Sequence, residues 1–192
     1  TPNYRNYLNL DALLNAQKLI SEKRGKTAHD EMLFIITHQV YELWFKQILF
    51  EIDSIFEVFH AKVIDESQVG IAVSRLHRIN EIIQLLIDQI KILETMTPMD
   101  FLEFRDLLTP ASGFQSAQFR LIENKFVLKN INRHGYGGVD YKSKIDKRET
   151  ELVQKSEQSL SLFDLIEQWL ERTPFLVFDE FDFWDQYRVA VQ

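Results

Sequence analysis

The stretch "FIITHQVYELWFKQILFEID", residues 34–53, decides the fold. Apolar side chains recur at helical spacing around most of its circumference, which predicts one long, largely buried helix. A single histidine, His38, stands in line with Phe34, Tyr41 and Phe45. A helix that is apolar on more than one side needs several partners, so the stretch predicts a helical bundle.

Helical signals continue on both sides of this stretch, with almost no strand signal. We predict a short amphipathic helix over 8–20, a polar loop over 21–28, and a long helix from an Asp30 cap to about His60. A second long helix opens at Ser67, and "TPMD" at 97–100 starts a shorter helix that stops before Pro110.

Beyond Pro110 the sequence predicts a helix within 114–128, another after a Ser161–Asp164 capping box, and a further one beginning in the tail. Three of the six glycines fall in 130–144, so we expect residues 130–143 to form a mobile loop. We therefore predict an all-α fold, a bundle with two long helices, in which residues 1–192 form a single domain.

Composition excludes several classes of protein. The net charge is −7, so no basic face for nucleic acid is expected. No apolar run reaches the roughly 18 residues of a membrane span, so no membrane partner is expected. Cysteine is absent, which favours a reducing compartment and a cytoplasmic location. Aromatic residues reach 12%, which suits a large core or a pocket for a flat ligand.

His38 has three interpretations. It is a core histidine bonded to a neighbour, a metal ligand, or a polar anchor in an aromatic pocket. Glu42 lies one turn later, but one such pair is too few for a metal site. Glu57 and His60 form the chain's only Glu-x-x-His, whereas di-iron bundles need two such motifs.

Arg105 repeats this pattern, because Phe101 precedes it by one turn as Phe34 precedes His38. Its guanidinium is either an ordinary cation–π or salt-bridge group beside Asp106, or a fork for a substrate carboxylate. Taken together, the two residues suggest a flat ligand that carries an N–H and a carboxylate. An aromatic amino acid fits that description, and tryptophan fits it best.

Four stretches make the chain recognisable: residues 4–17, 29–53, 93–125 and "WLERTP" at 169–174. They resemble the N-terminal part of the tryptophan 2,3-dioxygenase family. The resemblance implies a homotetramer that binds haem b. It also implies an enzyme that inserts O₂ across the indole C2–C3 bond of L-tryptophan, giving N-formylkynurenine in the first step of the kynurenine pathway.

The resemblance also implies roles for individual residues. His38 is the expected catalytic residue and bonds the indole N–H, Arg105 holds the carboxylate, and a neighbouring subunit contributes an N-terminal arm. The border of a second, non-catalytic tryptophan site is expected near the C-terminal end of the chain. The implied substrate contacts are Phe34, Ile35, Ile36, Thr37, His38, Phe101 and Arg105, the arm is Tyr4, Tyr7 and Leu8, and the second site is Trp169, Arg172 and Pro174.

The proximal haem ligand of the family has no counterpart among the five histidines of this chain. We therefore expect no metal ligand here, and a bundle completed by a C-terminal segment and by neighbouring subunits. The alternative is a non-catalytic helical module that binds tryptophan, or an inactive fragment, without haem.

Overall fold

A computed structural model describes residues 3–61, 64–126, 145–172, 177–178 and 181–191. Regular structure within these ranges is almost entirely α-helical, which confirms the predicted all-α class. The loop predicted over 130–143 lies outside the described residues, and so does Pro174. No described helix is both long enough and apolar enough to cross a membrane. The cytoplasmic location stays a prediction.

The described elements follow in chain order. Two long helices, α4 and α5, dominate them, and a 3-10 turn at Gly113–Gln115 precedes α7. A two-residue antiparallel pair joins β1 (Val177–Phe178) to β2 (Phe181–Asp182), with Phe178 opposite Phe181. The helices are α1 Tyr4–Tyr7, α2 Leu10–Leu14, α3 Ile20–Lys23, α4 Glu31–His60, α5 Glu66–Leu93, α6 Pro98–Leu108, α7 Ala117–Phe126, α8 Lys147–Gln158, α9 Leu162–Arg172 and α10 Phe183–Val191.

The region before α4 differs from its prediction. The helix predicted over 8–20 is not continuous, because α2 ends at Leu14 and α3 begins only at Ile20. The polar loop predicted over 21–28 is wrong in its first part, because α3 continues to Lys23 and Ser21 is buried. A serine is counted as polar by composition, yet here its hydroxyl and backbone N–H are satisfied internally.

Helix caps agree with the prediction more closely. The side chains of Thr97 and Asp100 form the predicted capping box of α6, and Ser161 with Asp164 forms that of α9. Helix α5 begins at Glu66, one residue before the predicted Ser67, and is capped by Asp65. Asp30 occupies the predicted cap position of α4, although its side chain makes no cap hydrogen bond.

Helix α8 was not predicted. Its sequence, "KRETELVQKSEQ", is strongly polar, and Val153 is its one buried residue. A hydrophobic period cannot be recognised from a single buried position. The helix is instead held by packing, since Val153 joins Ala117 and Leu121 of α7 in a small apolar cluster.

The main core lies along the second half of α4. That half packs against α5, α7 and α9, and each fully buried aliphatic side chain stabilises the fold by roughly 1.5 to 3 kcal/mol relative to exposure. The fully or largely buried members are Ile48, Ile52, Ile55 and Phe59 of α4, Ala72, Ile79, Ile82 and Leu86 of α5, Ile122 of α7, and Leu162 and Leu165 of α9.

One buried carboxylate also ties α4 to α5. Glu51 accepts a hydrogen bond from Arg78 Nη1 at 2.7 Å and another from Gln47 Nε2 at 2.8 Å. The Arg75 side chain lies within 4.0 Å of the same carboxylate. A buried charge is tolerated only when it is paired in this way, so the two hydrogen bonds and the nearby Arg75 cation account for the position of Glu51 in the core.

Candidate active site

The first half of α4 meets α6 in an aromatic cluster, which consists of Phe34, His38, Phe101 and Phe104. The ring centroids of Phe34 and His38 are 4.0 Å apart, and those of Phe34 and Phe101 are 5.8 Å apart. Phe104 is 0% exposed and meets both phenylalanines edge to face, at 5.6 Å and 5.4 Å. These separations are those of interacting aromatic rings, so Phe104 anchors the cluster to α6.

His38 is oriented by its own helix. Its Nδ1–H donates to the backbone carbonyl of Phe34 at 2.7 Å. When the ring is neutral and its proton is on Nδ1, Nε2 has a free lone pair and can accept a hydrogen bond. The half-buried imidazole can accept a hydrogen bond from a ligand N–H without any change of tautomer.

Arg105 lies at the other end of the same row of contacts. Its guanidinium carbon is 5.9 Å from the centroid of the Phe101 ring, and its side chain is exposed. The contacts thus run from His38 through the Phe34 and Phe101 rings to Arg105, with a hydrogen-bond acceptor on the first residue and a permanent cation on the last. A ligand with an N–H at one end and a carboxylate at the other matches both groups.

The other residues predicted between Phe34 and His38 occupy different faces of α4. Thr37 is buried and Ile35 is half-buried, whereas Ile36 is 43% exposed. Successive helical residues differ by about 100° in direction, so five consecutive side chains cannot all face one ligand. The structure brings Phe34, His38, Phe101 and Arg105 together, and the roles of Ile35, Ile36 and Thr37 stay predictions.

The start of α4 is fastened by a second buried carboxylate, that of Glu31, which is 0% exposed. It accepts hydrogen bonds from Ile20 N at 2.7 Å, from Ser21 N at 3.0 Å and from the Ser21 hydroxyl. Burial alone raises the pKa of Glu31, but these hydrogen bonds outweigh it and hold the pKa below its usual value. We refer to this contact between Glu31 and α3 as the Glu31 latch.

Sequence reasoning missed both Phe104 and the latch. Phe104 has a usable signal, because it lies three residues after Phe101 and therefore on a neighbouring part of the same helix face. Glu31 has none, since an acidic residue in the first turn of a helix is ordinarily a solvated group.

The predicted N-terminal arm is exposed in this single chain. Tyr4 is 76% exposed, Tyr7 is 78% exposed and Leu8 is 42% exposed. They belong to α1 and its C-terminal end, away from the main core. Among the described residues, no ring contact or hydrogen bond joins these three side chains to the aromatic cluster of their own chain.

The two described residues of the predicted second site have contacts of their own. The Trp169 ring meets Phe59 edge to face at 5.5 Å. Arg172 Nη2 donates to the carbonyls of Phe59 and Ala61, both at 2.8 Å, and so holds α9 against the end of α4. A role for these residues in a second site stays a prediction.

The other candidate metal residues have ordinary surroundings. Glu42 accepts from Gln118 Nε2 at 2.7 Å, which links α4 to α7. His60 donates to the carbonyl of Phe56 at 2.7 Å, and His77 faces Glu81 at 3.6 Å on the exposed side of α5. Within the described part of the chain, no three histidine or acidic residues form a group able to hold a metal ion.

Comparison with known proteins places the sequence of this chain in a family. A family model described as tryptophan 2,3-dioxygenase matches residues 1–192. Proteins named tryptophan 2,3-dioxygenase are 54% identical in Bdellovibrio bacteriovorus and 54% in Xenopus tropicalis, each over 189 residues and 98% of this chain. The one from Dictyostelium discoideum is 53% identical over 188 residues.

The chain spans about half the length of these relatives: 52% of the Bdellovibrio protein, and 47% of the Xenopus and Dictyostelium proteins. The matched region covers 98% of this chain, and the family model covers all of it. The chain therefore belongs to the tryptophan 2,3-dioxygenase family.

Proposed function

We propose that the protein containing this chain is a haem-dependent dioxygenase. It would insert O₂ across the indole C2–C3 bond of L-tryptophan to give N-formylkynurenine, the first step of the kynurenine pathway. Residues 1–192 would form part of a single helical domain. The observation that carries the proposal is the series of contacts from His38 through Phe34 and Phe101 to Arg105, which offers a partner for the indole N–H, the indole ring and the carboxylate of tryptophan.

The indole ring would lie against Phe34, with its N–H directed at His38. The tautomer supports this orientation, because Nδ1 is already committed to the Phe34 carbonyl and Nε2 remains an acceptor. Indole N–H is far too weak an acid for a neutral imidazole to deprotonate in the ground state. The contribution of His38 would therefore be to orient the indole and to hold its N–H proton.

Arg105 would hold the carboxylate of tryptophan. A guanidinium can donate two parallel hydrogen bonds to a carboxylate, which fixes direction as well as affinity. The Arg105 side chain is exposed, so a ligand can reach those donors, and its guanidinium lies over the Phe101 ring. Substrate would thus be bound at two points on two different helices.

Haem b would supply the redox chemistry with O₂ when it is bound. The residues present suit the substrate side of such a group, because an aromatic, mostly apolar wall carries one polar acceptor. The axial iron ligand is expected outside this chain.

A neighbouring subunit would complete the site in a homotetramer. Support comes from Tyr4 and Tyr7, since two tyrosines that are more than three-quarters exposed are costly to leave in water. Deleting residues 1–8 should weaken tryptophan binding and loosen the oligomer together. Mixed oligomers of that deletion with an Arg105→Ala subunit should regain some activity, because one subunit supplies the pocket and another the arm. No recovery in verified mixed oligomers would contradict the exchange.

The full-length protein tests the proposal directly. We expect a Soret absorbance band after purification and conversion of L-tryptophan to N-formylkynurenine, followed by its ultraviolet absorbance, with one O₂ consumed per turnover. Tryptophan binding without a Soret band would favour the alternative, a helical tryptophan-binding module without haem. No tryptophan binding at all would contradict both functions.

A further inference from the structure

We propose that Glu31 is a positioning residue for tryptophan, because its buried carboxylate sets the spacing between His38 on α4 and Arg105 on α6. This inference rests on the function proposed above and names a residue outside the substrate contacts. It follows from the position of α3, which lies between the two helices that carry the aromatic cluster.

The first step is the attachment of α3 to α4. Glu31 is the first residue of α4, and its two carboxylate oxygens accept from Ile20 N and Ser21 N, at 2.7 and 3.0 Å, and from the Ser21 hydroxyl. The Ser21 hydroxyl oxygen in turn accepts from Ala28 N at 3.0 Å. Ser21, Ala28 and Glu31 are all buried, so water is not available to replace any of these bonds. The latch therefore holds α3 rigidly against the start of α4, one turn before Phe34.

The second step is the attachment of α3 to α6. These two helices pack against each other. Lys26 follows α3 closely, and its Nζ lies 3.7 Å from Oε1 of Glu103 on α6. Glu103 lies between Phe101 and Arg105 in the sequence of that helix. A displacement of α3 would thus be passed to the helix that carries Arg105, while His38 would stay with α4.

The third step is the need for a charged carboxylate. Three donors converge on its two oxygens, and a glutamine would direct its NH₂ group at one of those donors instead of accepting from it. The negative charge also lies at the N-terminus of α4, where the helix dipole favours it. The lowered pKa of Glu31 is consistent with an ionised group at neutral pH.

The consequence differs between ligands. Tryptophan would contact both His38 and Arg105, so its affinity depends on the distance between α4 and α6. 3-Methylindole keeps the indole N–H but has no carboxylate for Arg105 to hold, so its affinity depends much less on the position of α6. A change in helix spacing weakens the two-point ligand selectively, whereas general loss of folded protein does not discriminate between them.

The experiment measures dissociation constants of L-tryptophan and 3-methylindole by calorimetry on the full-length protein. Four forms are compared: unmutated, Glu31→Gln, Ser21→Ala and Glu22→Gln. Glu22→Gln is the matched control, because it makes the same chemical change at an exposed residue of the same short helix. Melting curves identify any variant that is not folded at the assay temperature, and Ser21→Ala carries the test if Glu31→Gln does not fold.

We expect Glu31→Gln to raise the dissociation constant of tryptophan by about tenfold and Ser21→Ala to raise it less, with 3-methylindole unchanged in both. Glu22→Gln should change neither ligand. Equal weakening of both ligands, or no weakening in folded variants, would overturn the positioning role and leave the proposed function standing. Failure of the unmutated protein to bind tryptophan would overturn both.

Discussion

The two halves of α4 are built from similar apolar sequence but are used differently. In the second half, Ile52 and Ile55 are fully buried against α5, α7 and α9. In the first half, Phe34 and His38 are only half-buried and meet α6 through a few aromatic contacts. A core of fully buried aliphatic side chains supplies stability, whereas half-buried aromatic rings keep part of their surface available for a ligand.

Two histidines make the comparison sharper, because each half contains one with the same local pattern. His38 and His60 each follow a phenylalanine by one turn, and each donates Nδ1–H to the carbonyl of that phenylalanine at 2.7 Å. The ring centroids are 4.0 Å apart in the first pair and 6.2 Å apart in the second. His38 adjoins a cluster with a guanidinium beyond it, whereas His60 is exposed at the last turn of the helix.

The largest expected effect is on stability, in the second half. Ile52→Ala should lower the free energy of unfolding by about 2 to 5 kcal/mol, because it leaves a cavity in the main core. Urea denaturation of the full-length protein measures it. Ile52→Val is the control and should cost about 0.5 to 1.5 kcal/mol. Equal losses for the two variants would mean that the site relaxes around the smaller side chain.

The next effect is on catalysis, at the edge of the first half. Arg105→Ala or Arg105→Lys should lower kcat/KM for tryptophan about ten- to hundredfold, mostly through a higher KM. This corresponds to a loss of roughly 1.5 to 3 kcal/mol in binding free energy. Lysine cannot reproduce the two parallel hydrogen bonds of the guanidinium. For 3-methylindole the loss should nearly vanish. The same loss with and without the carboxylate would contradict the assigned role.

A smaller effect is expected at His38. If the proposed function holds, His38→Ala should keep the fold and the haem content. The loss in kcat/KM should correspond to about 0.5 to 1.5 kcal/mol, since the proposed hydrogen bond to the indole would be lost. Steady-state kinetics and the Soret absorbance of the same samples measure the two quantities. His60→Ala is the matched control and should leave both unchanged. Loss of haem from His38→Ala would make His38 an iron ligand and would contradict the substrate role.

The smallest effect concerns pH and the start of α4. The pKa of Glu31 is lowered on folding, so its hydrogen bonds stabilise the protein fully above the unfolded value near 4.5, and this stabilisation is lost as the pH falls through the lower folded value. The difference in unfolding free energy between the unmutated protein and Glu31→Gln should therefore shrink as the pH falls from 6 towards 3. A difference that stays constant over this range would contradict an ionised Glu31. Only one carboxyl among 29 acidic residues is compared, so the change is expected to be modest.

Local signals predicted most of the fold. The hydrophobic period and the capping residues located the starts of α4, α5, α6 and α9 to within a residue or two, because a helix and its caps depend on side chains close together in sequence. The same locality explains the errors. Helix α8 has one buried residue and no readable period, and Ser21 looked like a loop residue because its partner, Glu31, lies ten residues away.

For the candidate site, the sequence by itself determined that Phe34 precedes His38 and Phe101 precedes Arg105 by one helical turn, and that the chain resembles a dioxygenase family. Only the tertiary structure decided that these two pairs meet, that Phe104 anchors them, and that the Glu31 latch joins the start of α4 to α3, which also packs against α6. The physical reason is that helical periodicity specifies which face of a helix is apolar, but not which other face will cover it. That choice depends on packing and on buried hydrogen bonds between residues distant in sequence.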